Sequence, residues 1–200
     1  MGRGMLIVLS GPSGTGKGTV CKALLNKHRD ISLSISCTTR EPRAGEVHGK
    51  HYFFTNKNEF EERIGKGDFL EYANVFSNYY GTPKSFVDEM LASGKDVLLE
   101  IDVQGALKVK ENSPEGVFIF LIPPSMAELE KRIRSRGTET EEKIRERLGK
   151  AGAEMDLMDR YDYVIINDEV DNVVAKIESI MDAERLRVPR NLDKIQQFKE

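Results

Sequence analysis

Tryptophan is absent from the 200 residues, and cysteine occurs only twice and histidine three times. Cys21 and Cys37 lack Cys-x-x-Cys spacing, so neither a disulfide framework nor a paired-thiolate metal site is expected, and both read as reduced packing residues. His28, His48 and His51 show no metal-ligand spacing and read as structural or surface residues. Long apolar runs are missing too. The longest, Val117 to Ile122, is far too short to cross a bilayer, and Met1-Gly2-Arg3-Gly4 lacks the apolar segment of a secretory signal. Nor does one sign of charge dominate: the net charge of −3 provides no global positive field for nucleic acid or an anionic membrane, so any anion site must be local. The expectation is a cytoplasmic protein of one domain with small inserted modules and a substantial core.

Glycine, by contrast, is plentiful, and its densest use follows an apolar run. Met5-Leu6-Ile7-Val8-Leu9 leads through Ser10 into Gly11-Pro12-Ser13-Gly14-Thr15-Gly16-Lys17-Gly18-Thr19. A strand that ends in a glycine-rich turn and restarts as a helix points several backbone N–H groups at one spot, where the helix dipole also favours an anion. Lys17 adds a mobile cation able to follow β- and γ-phosphates. The stretch from Gly11 to Thr19 is therefore read as a P-loop that holds a polyphosphate. It departs by one letter from the Gly-x-x-x-x-Gly-Lys-Ser/Thr pattern: Gly18 stands where a hydroxyl touching Mg²⁺ is expected, with Thr19 following.

Four apolar runs, Leu6 to Leu9, Val97 to Leu99 with Ile101, Val117 to Ile122 and Tyr163 to Ile166, do not alternate with polar residues, which predicts strands covered on both faces. Helical patterns lie between them at Thr19 to His28, at Ser85 to Ala92 before Gly94, and at Val103 to Lys110 before Pro114. This order predicts an α/β fold: a parallel sheet flanked by helices, with ligands at the carboxyl ends of the strands. Two segments break the alternation. Residues 34–82, rich in aromatics and turn signals with a short helix at Glu59 to Ile64, read as an inserted small domain. Residues 125–150, two charged helical stretches broken at Arg136-Gly137-Thr138, read as a lid or, more plainly, a solvated helical hairpin. Residues 1–33, 83–124 and 151–200 form the discontinuous core. In it, Asp171 is the expected N-cap of a helix carrying Val173, Val174, Ile177, Ile180 and Met181, and Pro189 its expected end. Leu192, Ile195 and Phe198 then suggest either a docking helix or a frayed tail.

Further clusters follow in order: Ser36-Cys37-Thr38-Thr39-Arg40-Glu41-Pro42-Arg43, Tyr52-Phe53-Phe54, Phe69-Leu70-Glu71-Tyr72, Asn78-Tyr79-Tyr80-Gly81-Thr82, Glu100-Ile101-Asp102-Val103-Gln104-Gly105, Arg136-Gly137-Thr138-Glu139 and Asn167-Asp168. Arg40 and Arg43, three apart around Pro42 and near Tyr52, offer two forked guanidiniums and a phenol to one dianionic monophosphate. Together with the P-loop, these blocks resemble the guanylate kinase family along almost the whole chain. The resemblance implies a P-loop core with an inserted domain for the acceptor nucleotide and a helical lid. It also implies transfer of the γ-phosphate of MgATP to GMP; dGMP is expected to serve as well, since none of the residues named for the site has a task at the sugar 2′-position.

By resemblance, Arg40, Arg43, Tyr52 and Tyr80 contact the GMP phosphate, and Glu71 meets the base edge. Guanine presents N1–H and N2–H₂ donors there, which call for a carboxylate, and Ser36 and Thr82 supply hydroxyls for the remaining edge. Thr82 stands where the family often has Ser, and Asp102 is carried over as a base contact. Lys17, Arg132, Arg136 and Arg147 match the residues that close on the ATP phosphates, and with Arg40 form the catalytic set. Asn167 matches an adenine-side contact, or caps the turn before the last helix. Glu100, where other members carry Asp, is placed toward the phosphate and metal region, to orient a metal-bound water or one of the clamp arginines, with Mg²⁺ held mainly by nucleotide oxygens and waters. Two rivals remain: a kinase for another monophosphate, and a phosphopeptide-binding module without catalysis. Monomer and homo-oligomer stay equally open.

Overall fold

The computed structural model describes residues 3–75, 77–135 and 140–197. Strand β1 (Leu6–Ser10), helix α1 (Lys17–Lys27) and strand β2 (Ile31–Leu33) come first. β3 (Cys37–Thr38), β4 (Phe53–Phe54), α2 (Lys57–Gly65), β5 (Phe69–Val75) and β6 (Asn78–Pro83) follow. The chain continues through α3 (Lys84–Ala92), β7 (Asp96–Glu100), α4 (Val103–Asn112), β8 (Val117–Ile122), α5 (Met126–Arg134) and α6 (Glu141–Met155). It closes with β9 (Tyr163–Ile166), α7 (Val170–Arg185) and α8 (Leu192–Gln197).

One sheet is parallel and five-stranded, in the order β2-β7-β1-β8-β9. Because side chains alternate along a strand, β1 sends Ile7 and Leu9 to one face and Leu6 and Val8 to the other. The first face packs against Val20 and Leu24 of α1 and Val173, Ile177 and Met181 of α7. The second packs against Val87 and Leu91 of α3 and Ala106 and Val109 of α4. This double cover is why the strand sequences show no alternation. The chain runs to one side of β1 for β2 and β7 and to the other for β8 and β9, so a crevice opens at the carboxyl end of β1.

The other sheet is four-stranded and mixed, in the order β4-β3-β6-β5. Its core is aromatic: Phe60 of α2 is fully buried and stacks between Phe69 at 4.4 Å and Tyr79 at 5.2 Å. A register shift between Phe69 and Glu71 sets Glu71 opposite Thr82. Helices α5 and α6 bury Leu129, Ile133, Ile144 and Ala151 in a cluster of their own. Their starts are capped by the hydroxyls of Ser125 and Thr140, which accept from the amides of Glu128 and Lys143.

Several expectations need correction. The short strand Ile31–Leu33 went unseen because three residues carry no readable period. Strand β9 is not covered on both faces: it lies at the sheet edge, and Val164 and Ile166 are 55% and 50% exposed. Helix α7 starts from Glu169 rather than Asp171; Asp171 lies in the first turn, where its charge still suits the helix dipole. It ends at Arg185, ahead of Pro189; in its last turn buried Glu184 accepts from the Tyr163 hydroxyl at 2.7 Å and pairs with Arg187 and Arg190 just beyond. The tail does form α8, but Leu192 and Ile195 are exposed, and Phe198 lies outside the described residues. Among the described residues no helix is long and apolar enough to cross a membrane.

Candidate active site

The loop from Gly11 to Gly16 joins β1 to α1 with Gly11, Gly14 and Gly16 all at positive φ, a backbone that side chains rarely adopt. Thr15 is buried, and its hydroxyl donates to the Pro12 carbonyl at 2.9 Å, holding the turn. Lys17 reaches back over the loop and donates to the carbonyls of Gly11 and Pro12, at 2.6 and 3.1 Å. Burial pulls its pKa below the ordinary lysine value, and Glu100, Glu154 and Asp102 oppose that pull. Gly11, Ser13, Gly14, Gly16, Lys17, Gly18 and Thr19 line one wall of a cleft of about 540 Å³. Pro12 and Thr15 lie behind that wall and support it.

The opposite wall comes from the mixed sheet. Ser36, Arg43, Tyr52, Glu71 and Tyr80 line it, and Asp102 lies between the two walls at the start of α4. Glu71 is 6% exposed and accepts from the Thr82 hydroxyl at 2.7 Å, with Thr82 itself fully buried behind it. Burial raises the Glu71 carboxyl to about 7, against the opposing bond from Thr82. Gly105 permits this position: a Cβ there would stand 2.7 Å from Glu71 Oε2, so α4 can bring its first turn up to the carboxylate only without one. Asp102 caps that helix, its Oδ1 accepting from the amides of Gln104 and Gly105 at 2.9 and 3.2 Å.

The two arginines expected to close together on a monophosphate are placed differently. Arg43 lines the cleft, whereas Arg40 gives one guanidinium nitrogen to both oxygens of Glu46 at 2.9 Å and lies 5.4 Å from the centre of the Tyr52 ring. Tyr52 and Tyr80 meet edge to face at 6.0 Å.

Helices α5 and α6, the arm expected as a lid, bring further cations to the cleft and its loop. Arg147 of α6 donates to the Ser13 hydroxyl at 3.0 Å and lines the cleft. Arg132 of α5 lies outside it and reaches the carbonyls of Thr15 and Asn167, both at 3.3 Å, while Glu128 accepts from its Nε. Asn167 is buried after β9, and its amide donates to the Thr15 carbonyl at 2.5 Å, so the structure gives it a supporting contact to the loop. Arg136 lies outside the described residues. Sequence reasoning missed Lys150 and Glu154, which also line the cleft. Their signal was legible in outline: Arg147, Lys150 and Glu154 recur at helical spacing on the face that carries Ile144 and Ala151.

Glu100 ends β7 beside the loop, and a Cβ built on Gly18 would stand 3.4 Å from its Oε1. Among the described residues no cluster of three or more His, Cys, Asp or Glu side chains could hold a metal. A carboxylate beside a phosphate cradle nevertheless fits Mg²⁺, which keeps several waters and takes one or two carboxylates together with substrate phosphates.

A glycine-rich loop with its lysine and a buried carboxylate thus line one hollow. A family model described as guanylate kinase matches residues 3–184. The guanylate kinase of Caldanaerobacter subterraneus subsp. tengcongensis is 59% identical over 191 residues, spanning 96% of this chain and 93% of that protein. That of Clostridium tetani is 58% identical over 200 residues, spanning 100% and 96%. A crystal structure of guanylate kinase from Anaplasma phagocytophilum is similar at a TM-score of 0.79 and 36% identity, over 95% of this chain and 90% of that one. On the two-walled cleft and on likeness over nearly its full length, the chain belongs to the guanylate kinase family.

Proposed function

We propose that the chain acts as an ATP:GMP phosphotransferase, moving the γ-phosphoryl group of ATP to GMP to give ADP and GDP. One observation carries the assignment of its parts: Lys17, at the start of α1 behind the parallel sheet's loop, and Glu71, on β5 of the mixed sheet, line the same cleft. In this reading residues 34–82 hold GMP, residues 125–150 form the lid, with α6 running on to Met155, and the remainder holds ATP.

Glu71 accepts from guanine N1–H and N2–H₂, Ser36 and Asp102 complete the base site, and Thr82, expected to meet the base itself, instead holds the Glu71 carboxylate from behind. Arg43, Tyr52 and Tyr80 take the GMP phosphate, and Arg40 joins them by exchanging Glu46 for the ligand. Residues Gly11 to Thr19 cradle the ATP phosphates, with Asn167 supporting the adenine side through the loop. In phosphoryl transfer the protein aligns the acceptor oxygen and neutralises charge on the moving group, which is the work assigned to Lys17, Arg132, Arg136 and Arg147. Mg²⁺ held by the phosphates supplies further charge neutralisation, with Glu100 as the carboxylate beside it. Closing the arm excludes water and suppresses ATP hydrolysis.

A coupled assay of ADP release across GMP, dGMP, AMP, CMP and UMP tests the assignment. GMP is expected to exceed AMP in kcat/KM by about 10³-fold or more, because AMP leaves the buried acceptors unpaired. Comparable turnover of AMP, or no ADP release with any acceptor, would overturn it.

A further inference from the structure

The mixed sheet has two faces, and the cleft accounts for one of them. Side chains alternate along an extended chain: Ser36 and Tyr52 look into the cleft, while their neighbours Ile35, Cys37 and Phe53 look the other way. Phe60 of α2 lies under that far face, where a Cβ on Gly81 would meet its ring at 2.9 Å. Past the last turn of α2 the same face opens into a second cavity of about 360 Å³, a volume ordinary for small-molecule sites. Its walls belong to different bodies. Leu33 of β2 and Phe86 of α3 come from the parallel-sheet side, and Cys37, Phe53 and Arg63 from the mixed sheet and α2. Ile35 and Pro83 sit on the two chain passages that join those bodies.

The lining is apolar apart from Arg63 and Cys37. A guanidinium nitrogen of Arg63 donates to the Cys37 sulfur at 2.9 Å, and its Nε stands 3.7 Å from Asp68. Burial raises the Cys37 thiol against the pull of Arg63, so the cation meets a neutral sulfur, which is a weak acceptor. A carboxylate is the stronger partner, because its bonds to a guanidinium are charge-assisted and can form in pairs. Phe53 and Phe86, 38% and 36% exposed, add ring surface for a flat apolar body.

We propose that this cavity binds a small carboxylate with a flat apolar body, the carboxylate on Arg63 and the body against Phe53 and Phe86, and that filling it opposes closure of the cleft. The sign follows from a sheet that stands between two hollows. A rotation bringing Glu71 and Arg43 toward the P-loop carries Cys37, Phe53 and Arg63, on the opposite face, away from Leu33 and Phe86. An occupant that touches both walls then loses one of them. Occupant and nucleotide pair therefore bind antagonistically, and the antagonism is reciprocal. The site stands on its own geometry; its effect on turnover rests on the phosphotransfer reading of the cleft.

Calorimetric titration with 2-naphthoate, and with 2-naphthylmethanol as its uncharged counterpart, tests this on the wild type, Arg63→Met and Phe86→Ala. Each protein is also followed by its thermal unfolding midpoint and its turnover without probe. The wild type is expected to bind the carboxylate about tenfold or more tightly than the alcohol, and Arg63→Met to lose that preference with alcohol affinity kept. Phe86→Ala should weaken both probes alike, which keeps the test open if Arg63→Met does not fold. GMP with a non-hydrolysable ATP analogue should weaken 2-naphthoate in the wild type, and 2-naphthoate should raise KM for both nucleotides there but not in Arg63→Met. An effect exerted from inside the nucleotide cleft would survive Arg63→Met and overturn the proposal. So would the absence of saturable binding, a preference kept without Arg63, or a probe affinity that the nucleotides do not move. The wild type separates the two readings. ADP release with GMP, and no Arg63-dependent binding, removes the cavity site alone; Arg63-dependent binding without ADP release keeps the site and removes the phosphotransfer reading.

Discussion

Glu71 shows at the scale of one residue how burial becomes selectivity. Its carboxyl is raised to about 7 from an ordinary 4.5, chiefly by burial. A carboxyl raised on folding keeps its proton after the unfolded chain has lost its own, so unliganded stability falls as pH rises from about 4.5 to 7 and levels off above that. Guanine, as two donors, binds the ionised form, so GMP binding should release a proton below neutrality. KM for GMP is expected to fall as pH rises through about 7 while KM for ATP changes little. The GMP phosphate titrates nearby, and Glu71→Gln separates the two: it should flatten the residue's share of the profile and cut kcat/KM for GMP by about 10²-fold or more, with ATP affinity kept. An unchanged profile in that variant would remove Glu71 from base recognition. Lys17→Ala is expected to lower kcat by about 10²-fold or more with GMP binding intact, checked by single-turnover kinetics and GMP calorimetry. The lysine was legible in the sequence because loop geometry is written in contiguous residues. Glu71 was legible only by resemblance, since no local pattern says that an acid will be buried.

At the scale of elements, the root of the arm is joined to the P-loop by packing. A Cβ on Gly14 would meet Ile133 Cγ1 at 3.0 Å and Leu129 Cδ1 at 3.1 Å, and Gly14 has a φ of +92°. Gly14→Ala therefore strains the loop and pushes α5 outward. Its expected result is a loss of about 1–3 kcal/mol of stability together with a raised KM for ATP, measured by chemical denaturation and steady-state kinetics. Gly149, exposed within α6 with nothing within 4 Å of an added Cβ, is the opposite case. Gly149→Ala should stabilise by about 0.5–1 kcal/mol, because alanine loses less backbone freedom in a helix; a destabilised variant would show that α6 needs that freedom. The two helices were legible as charged helical stretches broken at Arg136-Gly137-Thr138. Helical spacing put Arg147, Lys150 and Glu154 toward one side of α6, but that this side meets the cleft depends on Ile144 and Ala151 packing against α5.

At the scale of the whole molecule, the two sheets are joined by the short passage from β2 to β3 and by the step from β6 into α3, and the cleft lies between them. Such links can absorb a rotation of one wall toward the other. Small-angle scattering is expected to show a smaller radius of gyration with GMP and an ATP analogue together than with neither, and an unchanged radius would argue against closure. The glycine-rich loop, the central strands covered on both faces and the charged helices of residues 125–150 could be read from the residues alone, because each is a matter of near neighbours: glycine dihedrals, apolar runs and helical periods. That Arg43 faces the cleft while Arg40 pairs with Glu46, that Asn167 braces Thr15, that β9 is an edge and that Glu100 stands against Gly18 came from the folded chain. Those outcomes depend on which distant segments come into van der Waals and hydrogen-bond contact, and strand order and register set that.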